Sequence, residues 1–405
     1  MWARRRQRAE QFDGDLSPAL IEAVFREFLG RAASEDDVAR WMQSASLGLF
    51  LEGVIASPEY RDRLERSRNR QQAAARGPYL NCWLPGWERF TRPVGEVSPD
   101  RVAIVGREGH LFLYGGTNNN LAAHRGEAAL SADWLGAWER IVTGRLDHAS
   151  RTGRRLAFVI VPDKLAVYDD LFPESLTPRE QRPVLRLLEE VPQLLVYPER
   201  MLLEARSAGD SYLRTDSHLS VSGNAVLAAA TVLQLGVTAD PFGALLGSGP
   251  PYLAAGDLGE HFFPPVTEVM RPISVSSHAA IVEDNRAEIA AVGGHIGTRR
   301  VFLNEAAGDS RTVVVFGDSY GFGDDAYQGL TWFLAQWFRT VHFVWVPFGW
   351  DPHYLDSARA DLVVCQTAER FVGRVPSESV NVASLARETI ERRRALGQDR
   401  VFSDR

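Results

Sequence analysis

From residue 101 onward the chain repeats one pattern: a short apolar run, then a stretch with helical spacing. The runs are "RVAIVG", "HLFLYGG", "RRLAFVIVP", "QLLVYP", "TVVVFG", "VHFVWVP" and "ADLVVCQ". Runs this short and this rich in Val, Ile and Phe, without polar alternation, are what strands covered on both faces require. Helical stretches fall at roughly 131–149, 179–190, 222–236 and 324–338. Strand-helix alternation of this kind predicts an α/β layer fold with a mainly parallel sheet and flanking helices. The first two runs, separated by "REG", read as a hairpin. Residues 239–300, rich in Gly, Pro and His, interrupt the alternation as an insertion, and "SLARETIERRRALGQ" reads as a terminal helix.

Residues 17–66 differ. Ser17 caps a helix with Pro18 at its first position, and Leu20, Ile21, Val24, Phe25 and Phe28 recur at helical spacing until Gly30. Ser34 caps a second helix, and two more follow. The expected organisation is a small all-α domain over 1–68, a linker rich in Arg, Gln, Gly and Pro over 69–100, the α/β domain over 101–376 and a helical tail over 377–405. The linker, with Trp83 and Trp87, is expected to pack partly on its neighbour.

Composition narrows the function. A net charge of -7 opposes nucleic-acid binding, which needs a basic face to displace counterions. The longest apolar run, "AVLAAATVLQLGV", is too short to span a bilayer and contains a Gln, so it reads as a buried helix. The N-terminus is basic but lacks the apolar stretch of an export signal, which makes the cytoplasm the default location and the periplasm the alternative for a trimmed chain. Cys82 and Cys365, far apart among apolar neighbours, read as buried free thiols. No His pair has metal-ligand spacing on one element, so no metal is expected. "GFGDDA" fits a dinucleotide pattern, but Asp324 and Asp325 would repel a pyrophosphate at the helix N-terminus, and "VHFVWVP" ends without the acid that would hold a ribose. No cofactor is expected.

The chemistry gathers in "VVVFGDSYGFGDD", residues 313–325. A strand, a glycine-flanked turn, Ser319 and then a helix is the order a nucleophilic serine needs, because its hydroxyl must stand on a rigid support beside backbone N–H groups. Gly-Asp-Ser is also an ordinary turn sequence, so the serine needs a base and an orienting acid to acquire meaning. "YLRTDSHLSVSG" supplies both: Asp216 and His218, two apart, share one side of an extended segment just before a helix that Ser220 or Ser222 would cap. In that arrangement His218 is the base, Asp216 its orienting acid, and the N–H groups of Ser319 and Gly321 hold the oxyanion. Gly321 and Gly323 would leave room for substrate. Tyr320, Trp345 and Trp350 near the carboxyl end of the sheet could offer aromatic faces to a ligand, although a packed role suits Trp345 better.

These blocks resemble the AlgX/AlgJ-like group of the SGNH hydrolase superfamily, bacterial alginate O-acetylation proteins. "VVVFGDSY" is similar to its nucleophile block, "TDSH" followed by Gly223 to its Asp-x-His block, and "VGREGHLFLYGG" with "VIVPDKLAVYDDLFPE" to its early hairpin, strand and loop. The likeness spans roughly 101–375, with Asp and His preceding Ser. It implies an SGNH-type (flavodoxin-like) sheet and an O-acetyltransferase or acetylesterase acting on a glycan through Ser319, His218 and Asp216. A glycan or polysaccharide acceptor and an acetyl donor, either a small molecule or an acyl carrier protein, are the implied partners. Leu219 and His110 stand where the family often has Trp, which removes aromatic surface. A catalytically inactive glycan-binding protein on the same fold is the rival reading. "VFREFLGRAASEDDVARWM" with "ASPEYRDRL" resembles a small helical domain of unknown function in bacterial surface and glycan-related proteins, in which Arg31 would pair with an acid of the second helix.

Overall fold

The computed structural model describes residues 31–43, 92–116, 120–176, 182–191, 195–206, 210–237, 252–270, 279–323 and 328–396, and single positions between 17 and 57. Cys82, Trp83, Trp87 and most of the expected N-terminal bundle lie outside them. Within that bundle α1 (Glu35–Met42) begins as expected: Ser34 accepts from the Asp37 N–H, and the Asp37 carboxylate accepts in return from the Ser34 N–H. Arg31 donates to the same Asp37 carboxylate at 2.7 Å, the ion pair expected between the turn and the second helix.

Strands β1 (Ala103–Val105) and β2 (Leu111–Leu113) form the expected antiparallel hairpin. Residues from Gly95 to Ser98, placed in the linker by sequence, hydrogen-bond along β1, so the ordered body starts before residue 101. Behind the hairpin, α2 (Trp134–Arg151) leads into β3 (Arg155–Val161), α3 (Pro183–Glu190) into β4 (Leu195–Val196), and α4 (Val221–Gln234) follows. The region expected as an insertion contributes β5 (Tyr252–Ala255) and β6 (Thr267–Met270), an antiparallel pair, and β7 (Ala280–Asp284), which joins the main sheet beside β8 (Arg299–Leu303). Then come β9 (Asp309–Gly317), α5 (Leu330–Ala335), β10 (Phe338–Trp345), α6 (Pro352–Ser357), β11 (Leu362–Ala368) and α7 (Val382–Ala395).

The seven-stranded sheet runs β4-β3-β11-β9-β10-β8-β7, parallel from β4 to β10 and antiparallel at its last two strands. Alternate residues feed two cores. Val159, Val313, Val315, Val341 and Val364 face α4 and α5, packing with Leu227, Leu330 and Phe333. Phe158, Ile160, Val314, Phe316 and Val363 face α2, α3 and α6, packing with Trp138, Leu187 and Leu355. Burying each such side chain stabilises by about 1.5–3 kcal/mol, which is why these strands tolerate no polar face. The sheet is the mixed, mainly parallel α/β architecture the sequence predicts. Among the described residues no helix is long and apolar enough to cross a membrane.

One helix differs from expectation. The stretch 324–338 yields only α5, because Gly329 starts it in an extended conformation and β10 already begins at Phe338. Residues 324–327 lie outside the described residues, and Trp337 sits in the turn after α5.

Candidate active site at the carboxyl edge of the sheet

The central strand β9, paired on both sides by parallel neighbours, ends at Gly317, and Ser319 stands two residues beyond. Asp318 fixes that turn. Its buried carboxylate accepts from the Tyr320 N–H at 3.0 Å, from Gln366 Nε2 at 2.8 Å and from the Ala368 N–H at 2.6 Å, while Gln366 Oε1 accepts from the Asp318 N–H at 2.9 Å. Both partners come from β11, so the serine turn is clamped to the neighbouring strand.

Asp216 and His218 lie on the loop between Tyr212 and α4. Ser220 is the N-cap, its hydroxyl accepting from the Gly223 N–H at 3.1 Å. Beneath the loop the Lys164 ammonium donates to the carbonyls of Leu213, Arg214 and Asp216 at 2.6, 2.9 and 3.1 Å. Burial pushes that lysine down to about 8, against the pull of the surrounding carboxylates.

The loop faces the serine. His218 Nε2 is 2.8 Å from Ser319 Oγ, and His218 Nδ1 is 2.7 Å from Asp216 Oδ1. A carboxylate only accepts, so the neutral ring carries its proton on Nδ1 and leaves Nε2 to accept from the serine hydroxyl. Burial disfavours the imidazolium, but the charge and hydrogen bond of Asp216, with Asp257 behind it, hold His218 above its ordinary value. Burial likewise tends to raise Asp216, yet His218 and the Asp257 N–H keep it well below the usual carboxylate range. The Ser319 amide has no hydrogen-bond partner among the described residues and can point at an oxyanion.

Other expected residues are not brought to the site. Gly321 spends its N–H on the Asp318 carbonyl at 3.0 Å, so it is not the second oxyanion donor. Its missing side chain makes room for Gln366 Oε1, which a Cβ would meet at 2.7 Å, and that of Gly323 makes room for Trp332; neither glycine opens space for substrate. Tyr320 is fully buried: its hydroxyl donates to the Ser217 carbonyl at 2.7 Å and its ring lies 5.0 Å from the His218 ring, so it backs the imidazole instead of stacking on a sugar. Trp350, 4% exposed, packs in the layer beneath α2 against Arg145 and His148. Trp345 is half-buried and stacks on His295 at 4.9 Å. His110 is sealed against Tyr168 at 4.6 Å, and burial pushes it down to about 4. Cys365 is buried and free, its thiol pushed up to about 11 by burial.

Sequence reasoning missed Asp257, Gln366 and Arg370. The signal for Asp257 was a glycine-bracketed acid, "AGDLG", in a segment with no recognisable period. Asp216, His218 and Asp257 each bring a polar atom within 4.8 Å of the others, and each of these atoms already has a protein hydrogen-bond partner.

Comparison with known proteins now adds a family. Residues 104–262 match the family described as SGNH hydrolase-like domain, acetyltransferase AlgX. Over that span the chain is similar to an AlgX-type SGNH hydrolase-like domain. The matched span holds Asp216, His218 and Asp257 and ends before Ser319. Among solved structures, the chain is similar to the O-acetyltransferase domain of Pseudomonas putida AlgJ, at 18% identity over 71% of this chain and 99% of that one, with a TM-score of 0.45. It is also similar to Bacillus cereus PatB1, at 12% identity over 63% and 93% with a TM-score of 0.42. Pseudomonas aeruginosa AlgX shares 14% identity over 71% and 66%, again with a TM-score of 0.42. Comparison with curated proteins gives no match.

Proposed function

We propose that this protein is an acyl-transfer enzyme that adds or removes O-acetyl groups on a carbohydrate, with Ser319 as nucleophile, His218 as base and Asp216 as its orienting acid. The observation that carries the reading is the continuous line Asp216 Oδ1, His218 Nδ1, His218 Nε2, Ser319 Oγ, with 2.7 and 2.8 Å contacts drawn from segments 101 residues apart. The AlgX-type match over the Asp-x-His block supports the acetyl class.

The steps balance as follows. Ser319 Oγ attacks the acetyl carbonyl while its proton passes to His218 Nε2; the tetrahedral oxyanion faces the Ser319 N–H. Collapse expels the donor's leaving atom, oxygen for an ester or sulfur for a thioester, which takes the proton from His218, leaving acetyl-Ser319. A sugar hydroxyl, or water in the esterase case, then gives its proton to His218 and attacks, and the serine regains its proton. Asp216 stays ionised and stabilises the transient imidazolium.

Intact-protein mass spectrometry after incubation with an activated aryl acetate tests this. Wild type should gain one acetyl group or turn the ester over, while Ser319→Ala and His218→Ala do neither. Identical behaviour of all three would leave the serine as a turn residue. Adding oligosaccharides then separates transfer to sugar from transfer to water.

A further inference from the structure

We propose that Asp257 is a positioning residue of this site, one that locks the Asp216–Ser217–His218 turn through Ser217 and sets a second carboxylate beside His218 Nδ1. The inference rests on the acyl-transfer reading above for its kinetic consequence, but not for its geometry.

The turn after β5 is stitched to the catalytic loop by backbone contacts. The Gly256 N–H donates to Thr215 Oγ1 at 3.1 Å, and the N–H groups of Leu258 and Gly259 donate to the Thr215 carbonyl at 3.1 and 2.8 Å. Glu268, from β6, accepts from the Thr215 N–H and hydroxyl at 2.7 and 2.8 Å. Gly256 is needed for this approach, because a Cβ there would sit 2.5 Å from the Asp216 Cβ. The two segments are therefore held as one unit, which fixes Asp257 on the acid side of the histidine.

From that position Asp257 touches every member of the turn. Its N–H donates to Asp216 Oδ2 at 3.0 Å. Its Oδ1 accepts from the Ser217 N–H at 2.6 Å and its Oδ2 from the Ser217 hydroxyl at 2.5 Å. Its Oδ2 also lies 3.5 Å from His218 Nδ1, beyond direct hydrogen bonding but close enough for its charge to act. The Ser217 bonds matter because Asp216 Oδ1 accepts the His218 backbone N–H at 2.8 Å as well as the ring. A tilted Ser217 peptide would swing both off line, and displacements of about 1 Å can cost 10²-fold in rate.

The charges facing the imidazole are Asp216 and Asp257 on the Nδ1 side and Arg370 behind the Tyr320 ring. Lys164 lies under the loop backbone, with Glu268 beyond Thr215. Asp257 adds to Asp216 in favouring the imidazolium, while Arg370 opposes both. Asp257 is itself pushed up by burial and by Asp216, the direction expected of two carboxylates crowding one ring.

The test uses two variants of the full chain and two readouts. Asp257→Asn removes the charge but keeps the shape and one acceptor oxygen, which can still take the Ser217 N–H, while its amide NH2 can only donate to the Ser217 hydroxyl; Asp257→Ala removes charge and acceptors together. A ¹⁵N-imidazole NMR titration should show the His218 midpoint moving to lower pH in each variant. The acidic limb of aryl-acetate kcat/KM should move the same way, because a base that loses its proton more readily works at lower pH. Asp257→Ala should also lose roughly 10- to 100-fold in kcat with little change in KM, and Asp257→Asn should keep most of it. A His218 midpoint that stays put in both variants, with kcat unchanged in Asp257→Ala, would overturn the proposal while leaving the Ser319 mechanism intact. A midpoint that moves in a protein without Ser319-dependent turnover would support the positioning and defeat the acyl-transfer reading. Ser217→Ala, which removes one bond without touching a charge, should lower kcat and leave the midpoint in place; a shifted midpoint there would refute the division of roles.

Discussion

Two clusters of charge meet at the carboxyl edge of this sheet, and they are built on different terms. In the first, Asp216 and Asp257 face an imidazole whose far nitrogen meets Ser319; their side chains are 15%, 43% and, for His218, 17% exposed. In the second, just behind Tyr320, Asp163 meets Arg370 at 2.5 Å, with side chains 3% and 6% exposed, and Glu369 meets Arg182 at 3.4 Å while accepting from the Tyr197 hydroxyl at 2.8 Å. The cation of the first cluster exists only when a proton is present. Those of the second are guanidiniums, which stay charged at any pH the protein meets. A carboxylate opposite an imidazole faces a charge that comes and goes with a proton, whereas one opposite a buried arginine faces a charge that stays. On the acyl-transfer reading proposed above, the first cluster carries the chemistry and the second the framework.

The largest effect that sharpens this contrast is expected at Ser319. Ser319→Ala should lower acyl turnover by on the order of 10⁴ or more, with stability changed by no more than about 1 kcal/mol, since a single half-buried hydrogen bond is lost. Paired measurements of kcat and urea midpoint would show it. A variant that lost both together would put the serine in the framework and erase the distinction.

Arg370→Met should do the reverse in thermodynamic terms. Breaking a buried pair from one side typically costs about 3–5 kcal/mol, because the remaining charge is stranded. Burial already pushes Asp163 up even with Arg370 beside it, and removing the guanidinium pushes it further. A carboxyl whose folded pKa exceeds its unfolded value lends stability at low pH that is lost as pH rises through the folded value. The deficit of this variant should thus be greatest at neutral pH and shrink on acidification, as urea melts at several pH values would reveal. A pH-independent deficit would mean that Asp163 is not the stranded group.

How much of this could be read from sequence follows the same division. The β-branched runs announced the parallel strands because burial on both faces demands them, and Asp216 with His218 was legible because a separation of two on extended chain aligns side chains. Ser319 was marked by the end of β9. Gly321, Tyr320 and Trp350 were misjudged for one reason: a residue's place along a turn does not reveal which way its side chain or N–H faces. Gln366 on β11 and Arg370 just beyond it determine that for Gly321 and Tyr320, and Arg145 and His148 on α2 for Trp350, and none of these is near in sequence. Asp257 escaped because its segment is tied to the loop by backbone hydrogen bonds, which leave no periodic trace.

The smallest expected effect asks whether the two clusters are independent. Tyr320 links them through its side chain: its hydroxyl donates to the Ser217 carbonyl at 2.7 Å, lies 3.4 Å from Arg370 Nη1, and its ring backs the His218 ring. Tyr320→Phe keeps the ring and removes the hydroxyl, leaving the Ser217 carbonyl without that donor, a loss of roughly 1–3 kcal/mol in stability. If the framework merely holds the fold, kcat should follow wild type once the protein is folded. If it aims the histidine, kcat should fall several-fold while KM stays level, because Ser217 sits between the acid and the base and a loosened peptide there blurs the approach of Nε2 to Ser319. The structure favours the second outcome: the hydrogen bond from the Tyr320 hydroxyl to the loop before α4 falls on the residue that Asp257 grips from the other side.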